Sequence, residues 1–227
     1  MSPLTVLEWA AMHSMPNAQF YDRAYFLGHR SNYIFGYHQM RYRLLWWRRL
    51  ALIRRLAPHG RLLDVGCAFG FFLRFLDGHH ESYGIDVSAH AVEQARRVVE
   101  VADRVQQADI QETMPFPHQF ELITAFDLVE HLPRPEAAVR QLAQATKPGG
   151  YVVLELPTRE PLLNRDGSHV YRQIAYWTSL LEGAGYQILR VQGYWTIGLR
   201  IILIPARRRA NYHQIIARRP PASPERP

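Results

Sequence analysis

The chain has 227 residues, of which 48% are hydrophobic and 21% charged, a balance that excludes a disordered or fibrous protein and suffices for one substantial core. The formal charge is +7, but Arg207, Arg208, Arg209, Arg218, Arg219 and Arg226 against Glu225 carry +5 of it, so the body is nearly balanced and no nucleic-acid partner is expected. A single cysteine, Cys67, rules out an internal disulfide framework and a multi-cysteine zinc site; with no secretory pattern at the start, a cytoplasmic protein is expected.

Residues 1–58 read as an N-terminal helical cap rich in aromatics, among them Trp9, Phe20, Tyr21, Tyr25, Phe26, Tyr33, Phe35, Tyr37, Trp46 and Trp47. Such residues pack a helix against a sheet, and together they suit a lid. Within the cap, Arg41–Arg55 is a basic stretch holding both Trp46 and Trp47. Its favoured reading is a packed helix with a solvated arginine face; the other is weak association with a membrane surface.

From residue 59 to 219, short β-rich runs alternate with helical segments, the pattern of a parallel sheet with helices on both faces. Strands are expected at Leu62–Val65, Ser82–Ile85, Arg104–Gln107, Glu121–Phe126 and Tyr151–Leu156, mostly continuous apolar runs, as strands buried on both faces should be. Ser88 is placed to cap a helix over Ala89–Glu100. A second helix starts at Pro135 and runs to about Thr146, stopping at Lys147-Pro148-Gly149-Gly150. A third covers Ile174–Glu182, and Tyr186–Tyr194 and Tyr212–Ala217 close a seven-stranded sheet. The longest apolar stretch, Tyr194–Pro205, is interrupted by Arg200 and too short to span a bilayer. Pro220–Pro227 reads as a disordered tail.

In an open parallel sheet, ligands bind beyond the carboxyl ends of the strands. Asp64-Val65-Gly66-Cys67-Ala68-Phe69-Gly70 lies at such an end, and its small residues let the backbone approach a ligand. Asp86 ends the second strand, 22 residues beyond Asp64, where a carboxylate can accept both hydroxyl hydrogens of a ribose. Asp109 follows the third strand, within reach of an adenine amino group. A dinucleotide is disfavoured, because Gly66–Phe71 lacks the last glycine of a GxGxxG turn.

The runs LLDVGCAFG, YGIDVS, QADI, FELITAFDLVEHL and KPGGYVVLELP, in that order and spacing, resemble the class I S-adenosylmethionine-dependent methyltransferases. The branch they resemble most contains ubiquinone-biosynthesis O-methyltransferases and natural-product and sugar methyltransferases. The resemblance implies a Rossmann-like α/β fold, S-adenosylmethionine as cofactor, no metal, and a small-molecule acceptor methylated at a hydroxyl oxygen. By position it places Asp64, Gly66, Cys67 and Gly70 around the methionine part of the cofactor and Asp86 on the ribose. Val87, Asp109 and Ile110 fall at the adenine, and Phe126 and Asp127 flank the methionine moiety. Ala68 and Phe69 depart from the family's usual glycine and small polar residue; alanine is tolerated there unless its φ is positive. An inactive methyltransferase-like binding module, or a peripheral enzyme acting on a lipid or quinone, are the alternatives.

Removing a proton from a hydroxyl acceptor calls for a base. His131, next to Glu130 beyond the fourth strand, is the first candidate, and His169, after the fifth, the second. The alternative for His131 is a backbone-bonded residue that stabilises the turn.

Overall fold

The computed structural model describes residues 18–33, 35–160, 169–196, 203–206 and 210–222; Trp9, Arg200, Arg207, Arg208, Arg209 and residues 223–227 of the expected tail lie outside them. Its helices are α1 (Arg23–Phe26), α2 (Trp47–Leu56), α3 (Phe71–Arg74), α4 (Ala89–Arg96), α5 (Pro135–Ala145) and α6 (Ile174–Gly183). Its strands are β1 (Arg61–Val65), β2 (Glu81–Asp86), β3 (Val105–Gln107), β4 (Phe120–Phe126), β5 (Thr146–Pro157), β6 (Gln187–Thr196), β7 (Leu203–Pro205) and β8 (Tyr212–Arg218). They form one sheet in the order β3-β2-β1-β4-β5-β8-β6-β7. β1 to β5 pair in parallel, and β8, β6 and β7 are added antiparallel.

The sheet therefore has eight strands rather than the expected seven. The extra one, β7, comes from the end of the run read only as an apolar stretch, and it pairs back on β6 with Trp195 opposite Ile204. One helix, α4, ends earlier than the sequence suggests, at Arg96 rather than Glu100. After Arg96 the chain tightens, with Arg97 and Val98 donating to Gln94 and Ala95 carbonyls, and the Glu100 amide turns to the Asp77 carboxylate. α5 stops at Ala145 because the Thr146 hydroxyl bonds back to the Leu142 carbonyl and to Tyr186 while its backbone enters β5 opposite Phe120. Lys147–Gly150 is thus the irregular start of β5, which begins at Thr146 rather than at the expected Tyr151. Ser88 caps α4 as expected, accepting from the Ala91 amide at 3.1 Å, and its hydroxyl donates to the Tyr21 carbonyl.

Alternation along the strands splits the interior into two layers. Leu63, Val65, Ile123, Val152, Leu154 and Ile215 pack under α5 and α6 against Val139, Leu142, Trp177 and Leu181. Leu62, Leu122, Val153 and Ile216 face the other way, toward α2, α3, α4 and the aromatic segment, where Tyr25, Phe26, Tyr37, Trp46, Leu50 and Ile53 are buried. Phe35 and Trp47 of the same segment are exposed. The cap is thus fastened through the core, and Ile53→Ala should cost about 2–5 kcal/mol by leaving a cavity under α2. Chemical denaturation would measure it, and a value near zero would mean that α2 does not hold the cap.

Candidate functional site

The order β2-β1-β4 reverses the direction of chain progression between β1 and β4, which opens a crevice beyond their carboxyl ends. The turn after β1 lines it. The Gly66 and Cys67 amides both bond to the Ile85 carbonyl, at 2.8 and 3.0 Å, and the turn closes through left-handed residues, Gly66 at φ +77°, Ala68 at +47° and Gly70 at +69°. The condition under which alanine would be a strained substitute therefore holds at Ala68. Its amide donates to Asp86 Oδ2 at 2.9 Å, which ties the strained residue to the end of β2.

The other oxygen of Asp86 accepts from the Ser88 amide at 2.9 Å. Burial pushes the Asp86 carboxyl up to about 6 despite these two donors. Asp64, on β1, is also buried and accepts from Thr124 Oγ1 at 2.7 Å. Burial raises it to about 7; the Thr124 bond and Arg49 oppose that rise and Asp86 adds to it. Each oxygen of Asp86 keeps a further lone pair. Two desolvated carboxylates beside a left-handed turn fit a ligand that carries positive charge and adjacent hydroxyls, as S-adenosylmethionine does. Val87 is half-buried beyond β2 and Ile110 buried beyond β3. Asp109 takes the Gln111 amide at 2.8 Å and the Gln111 side chain at 3.1 Å, an Asx turn that fixes this corner.

On the α2 side of the sheet, Asp64 pairs in register with Thr124, and Phe126, Glu155 and Gln214 form a row across β4, β5 and β8. Arg49 of α2 reaches into this row. Its Nε lies 2.7 Å from Glu155 Oε2, its Nη2 3.0 Å from Asp127 Oδ2 and 3.2 Å from the Tyr212 hydroxyl, and the guanidinium sits 4.2 Å over the Phe126 ring. Burial works against the charge, but Glu155, Tyr212 and Asp127 more than offset it and hold the group protonated. Gln214 donates to Glu155 Oε1 at 2.6 Å. Asp127 is itself left-handed, at φ +52°, and its amide bonds to the Glu155 carbonyl. The sequence reading missed Arg49, which it counted in a solvated arginine face. Glu155 did leave a signal, a lone carboxylate inside an otherwise apolar central strand.

Beyond β4, residues Val129–His131 form a 3-10 turn that buries all three side chains. The Val170 amide donates to the Glu130 carbonyl at 2.8 Å and carries the neighbouring His169 onto this turn. The His131 and His169 rings then lie 4.3 Å apart, with Tyr171 stacked on His169 and Tyr21 at 6.2 Å from His131. Glu130 Oε1 is 3.9 Å from His169 Nε2. One ligand atom from each of Glu130, His131 and His169 falls within 4.8 Å of the others, so this trio could hold a cation, where the sequence reading expected no metal. Tyr21, bonded through its carbonyl to Ser88 and edge-on to His131, spans from the end of β2 to the end of β4.

Two substitutions test the turn. The left-handed strain at Ala68, about 1–2 kcal/mol, exceeds the roughly 0.4–1 kcal/mol that alanine gains by restricting the unfolded chain, so Ala68→Gly should raise stability by about 0.5–1 kcal/mol. A lower urea midpoint would refute the strain. With its carboxyl raised in the folded chain, Asp64 costs stability increasingly as pH climbs from the ordinary carboxylate range through about 7. Asp64→Asn should therefore stabilise the ligand-free chain by on the order of a few kcal/mol near pH 8 and by less near pH 5, and equal urea midpoints shifts at the two pH values would contradict this.

Residues 37–191 match the family model of a methyltransferase domain. The ubiquinone biosynthesis O-methyltransferase of Citrobacter koseri is 29% identical over 155 residues, covering 64% of this chain and 57% of that protein. The enzyme of the same name from Alkalilimnicola ehrlichii is 35% identical over 108 residues, 44% of this chain and 43% of that one. The chain thus spans about half the length of the curated relatives it matches. Among solved structures, a Thermotoga maritima S-adenosylmethionine-dependent methyltransferase, described as a possible histamine N-methyltransferase, superposes with a TM-score of 0.61 at 17% identity, covering 80% of this chain and 92% of that one. The cyclase SpnF superposes at 0.60 and 21% identity over 77% and 81%, so the fold alone does not dictate the reaction. With its family model, its relatives and its fold in agreement, the chain belongs to the class I S-adenosylmethionine-dependent methyltransferase family.

Proposed function

We propose that this chain transfers the methyl group of S-adenosylmethionine to a hydroxyl oxygen of a small-molecule acceptor. The observation that carries the reading is the meeting of His131 and His169, 4.3 Å apart, at the end of the strand that borders the crevice. In this reading Asp64, Gly66, Cys67 and Gly70 surround the methionine part, with Phe126 and Asp127 beside it. Asp86 accepts the ribose hydroxyls, and Val87, Asp109 and Ile110 enclose the adenine. Bound there, the cofactor supplies a methyl group on a positively charged sulfur, an excellent leaving group, so the chain's main task is alignment and exclusion of water.

His131 would take the proton of the acceptor hydroxyl and pass it to solvent. His169, packed against it, orders the ring and offers a second imidazole. The aromatic segment around Tyr21, which crosses the crevice mouth, keeps water out. Oxygen as the acceptor atom is supported by the imidazole pair and by the names of the relatives, both O-methyltransferases.

Incubating the chain with isotope-labelled S-adenosylmethionine and a metabolite extract should yield a labelled small molecule by mass spectrometry. His131→Ala should lower its turnover by about 100-fold or more while calorimetry finds cofactor affinity unchanged; near-normal turnover would remove His131 as the base, and absence of cofactor binding would make the chain a binding module. A second reading, favoured by the Glu130, His131 and His169 donors, is that a divalent cation orients the acceptor oxygen. Loss of turnover with a chelator, and recovery with added magnesium, would select it.

A further inference from the structure

The cap carries a surface that the site does not use. Phe35, Tyr42, Leu44 and Trp47 are 79%, 55%, 77% and 59% exposed, four large apolar side chains within thirteen residues. They follow one another through the two 3-10 turns into α2, whose inner face (Leu50, Ile53) is buried and whose outer face carries Trp47, Ala51, Arg54 and Arg55. Soluble proteins rarely leave side chains of this size so exposed in a cluster without a partner for them.

Along this stretch of the chain the formal charge has one sign. Between Asp22 and Asp64 there is no acidic residue and there are nine arginines. Arg49 is occupied at the site, and Arg30 and Arg61 pair with Asp22 and Glu81. Arg43, Arg54 and Arg55 are exposed and take part in no ion pair among the described residues. Exposed Trp, Tyr, Leu and Phe set among guanidinium groups make up the composition of a helix lying in a lipid headgroup region, with the apolar groups entering the acyl boundary and the arginines at the phosphates. A single-stranded nucleic acid would use the arginines and the aromatic rings, but Leu44 has no ring to stack on a base.

We infer that the outer face of α2 and the turns before it dock this protein on an anionic lipid surface. No helix among the described residues is long and apolar enough to cross a membrane, so the association is peripheral. Arg49 lies on the inner face of the same helix, so the docking face and the site share one element.

The test is co-sedimentation of the full chain with phosphatidylcholine vesicles and with vesicles containing added phosphatidylglycerol. The chain should pellet with the anionic vesicles, less at high salt, and stay in solution with the neutral ones. Arg43→Gln with Arg54→Gln should weaken partitioning about thirtyfold at low salt, and Leu44→Ser with Trp47→Ser should release the chain with its thermal midpoint unchanged. The inference fails if anionic vesicles leave the chain in the supernatant, if both double variants pellet like the parent, or if a polynucleotide retains the chain while vesicles do not.

Discussion

A positively charged, half-buried guanidinium held against the sheet is the interaction on which the arrangement depends. Taking Arg49 out of water is costly, and it is stabilised there only because Glu155, Asp127 and Tyr212 converge on it while Phe126 supplies an aromatic face. Those partners come from the ends of β4, β5 and β8. The cap therefore docks in one register, with Trp46 seated on Phe72 and Ile53 in the core. Hydrophobic burial holds the cap down, and the charged cluster specifies where.

The same cluster supports backbone that would otherwise relax. Asp127 and Ala68 are the non-glycine residues with left-handed backbone among those described, and each is held from outside its own segment. Arg49 grips the side chain of Asp127, and Asp86 receives the amide of Ala68. Strain of this kind persists only where surrounding groups over-determine it, and it collects where a ligand must meet the backbone. Here both residues border one crevice.

Much of the scaffold was legible in the residues, because continuous apolar strands, the Ser88 cap and the glycine turn are local signals. β1 to β5 fell within a few residues of expectation, and the acidic residues stand at the ends of β1, β2 and β3 where strand periodicity puts them. The extra strand β7 was not legible: three residues in an apolar run have no period of their own, and only their pairing with β6 defines them. Nor was the role of Arg49, since an arginine paired against the sheet and a solvated one are identical in a list of basic residues. His169 could be named but not placed, because the bond from Val170 to Glu130 that carries it onto His131 joins segments forty residues apart.

One hydroxyl joins the aromatic segment to the scaffold. Ser88 Oγ accepts the first-turn amide of α4 and gives its single proton to the Tyr21 carbonyl. The two bonds use different capacities of the same atom, so withdrawing the aromatic strap leaves the helix cap intact and frees one donor beside Asp86. Loss of the Tyr21 bond is therefore a local event, separable from fraying of α4. One atom thus serves two contacts that do not compete.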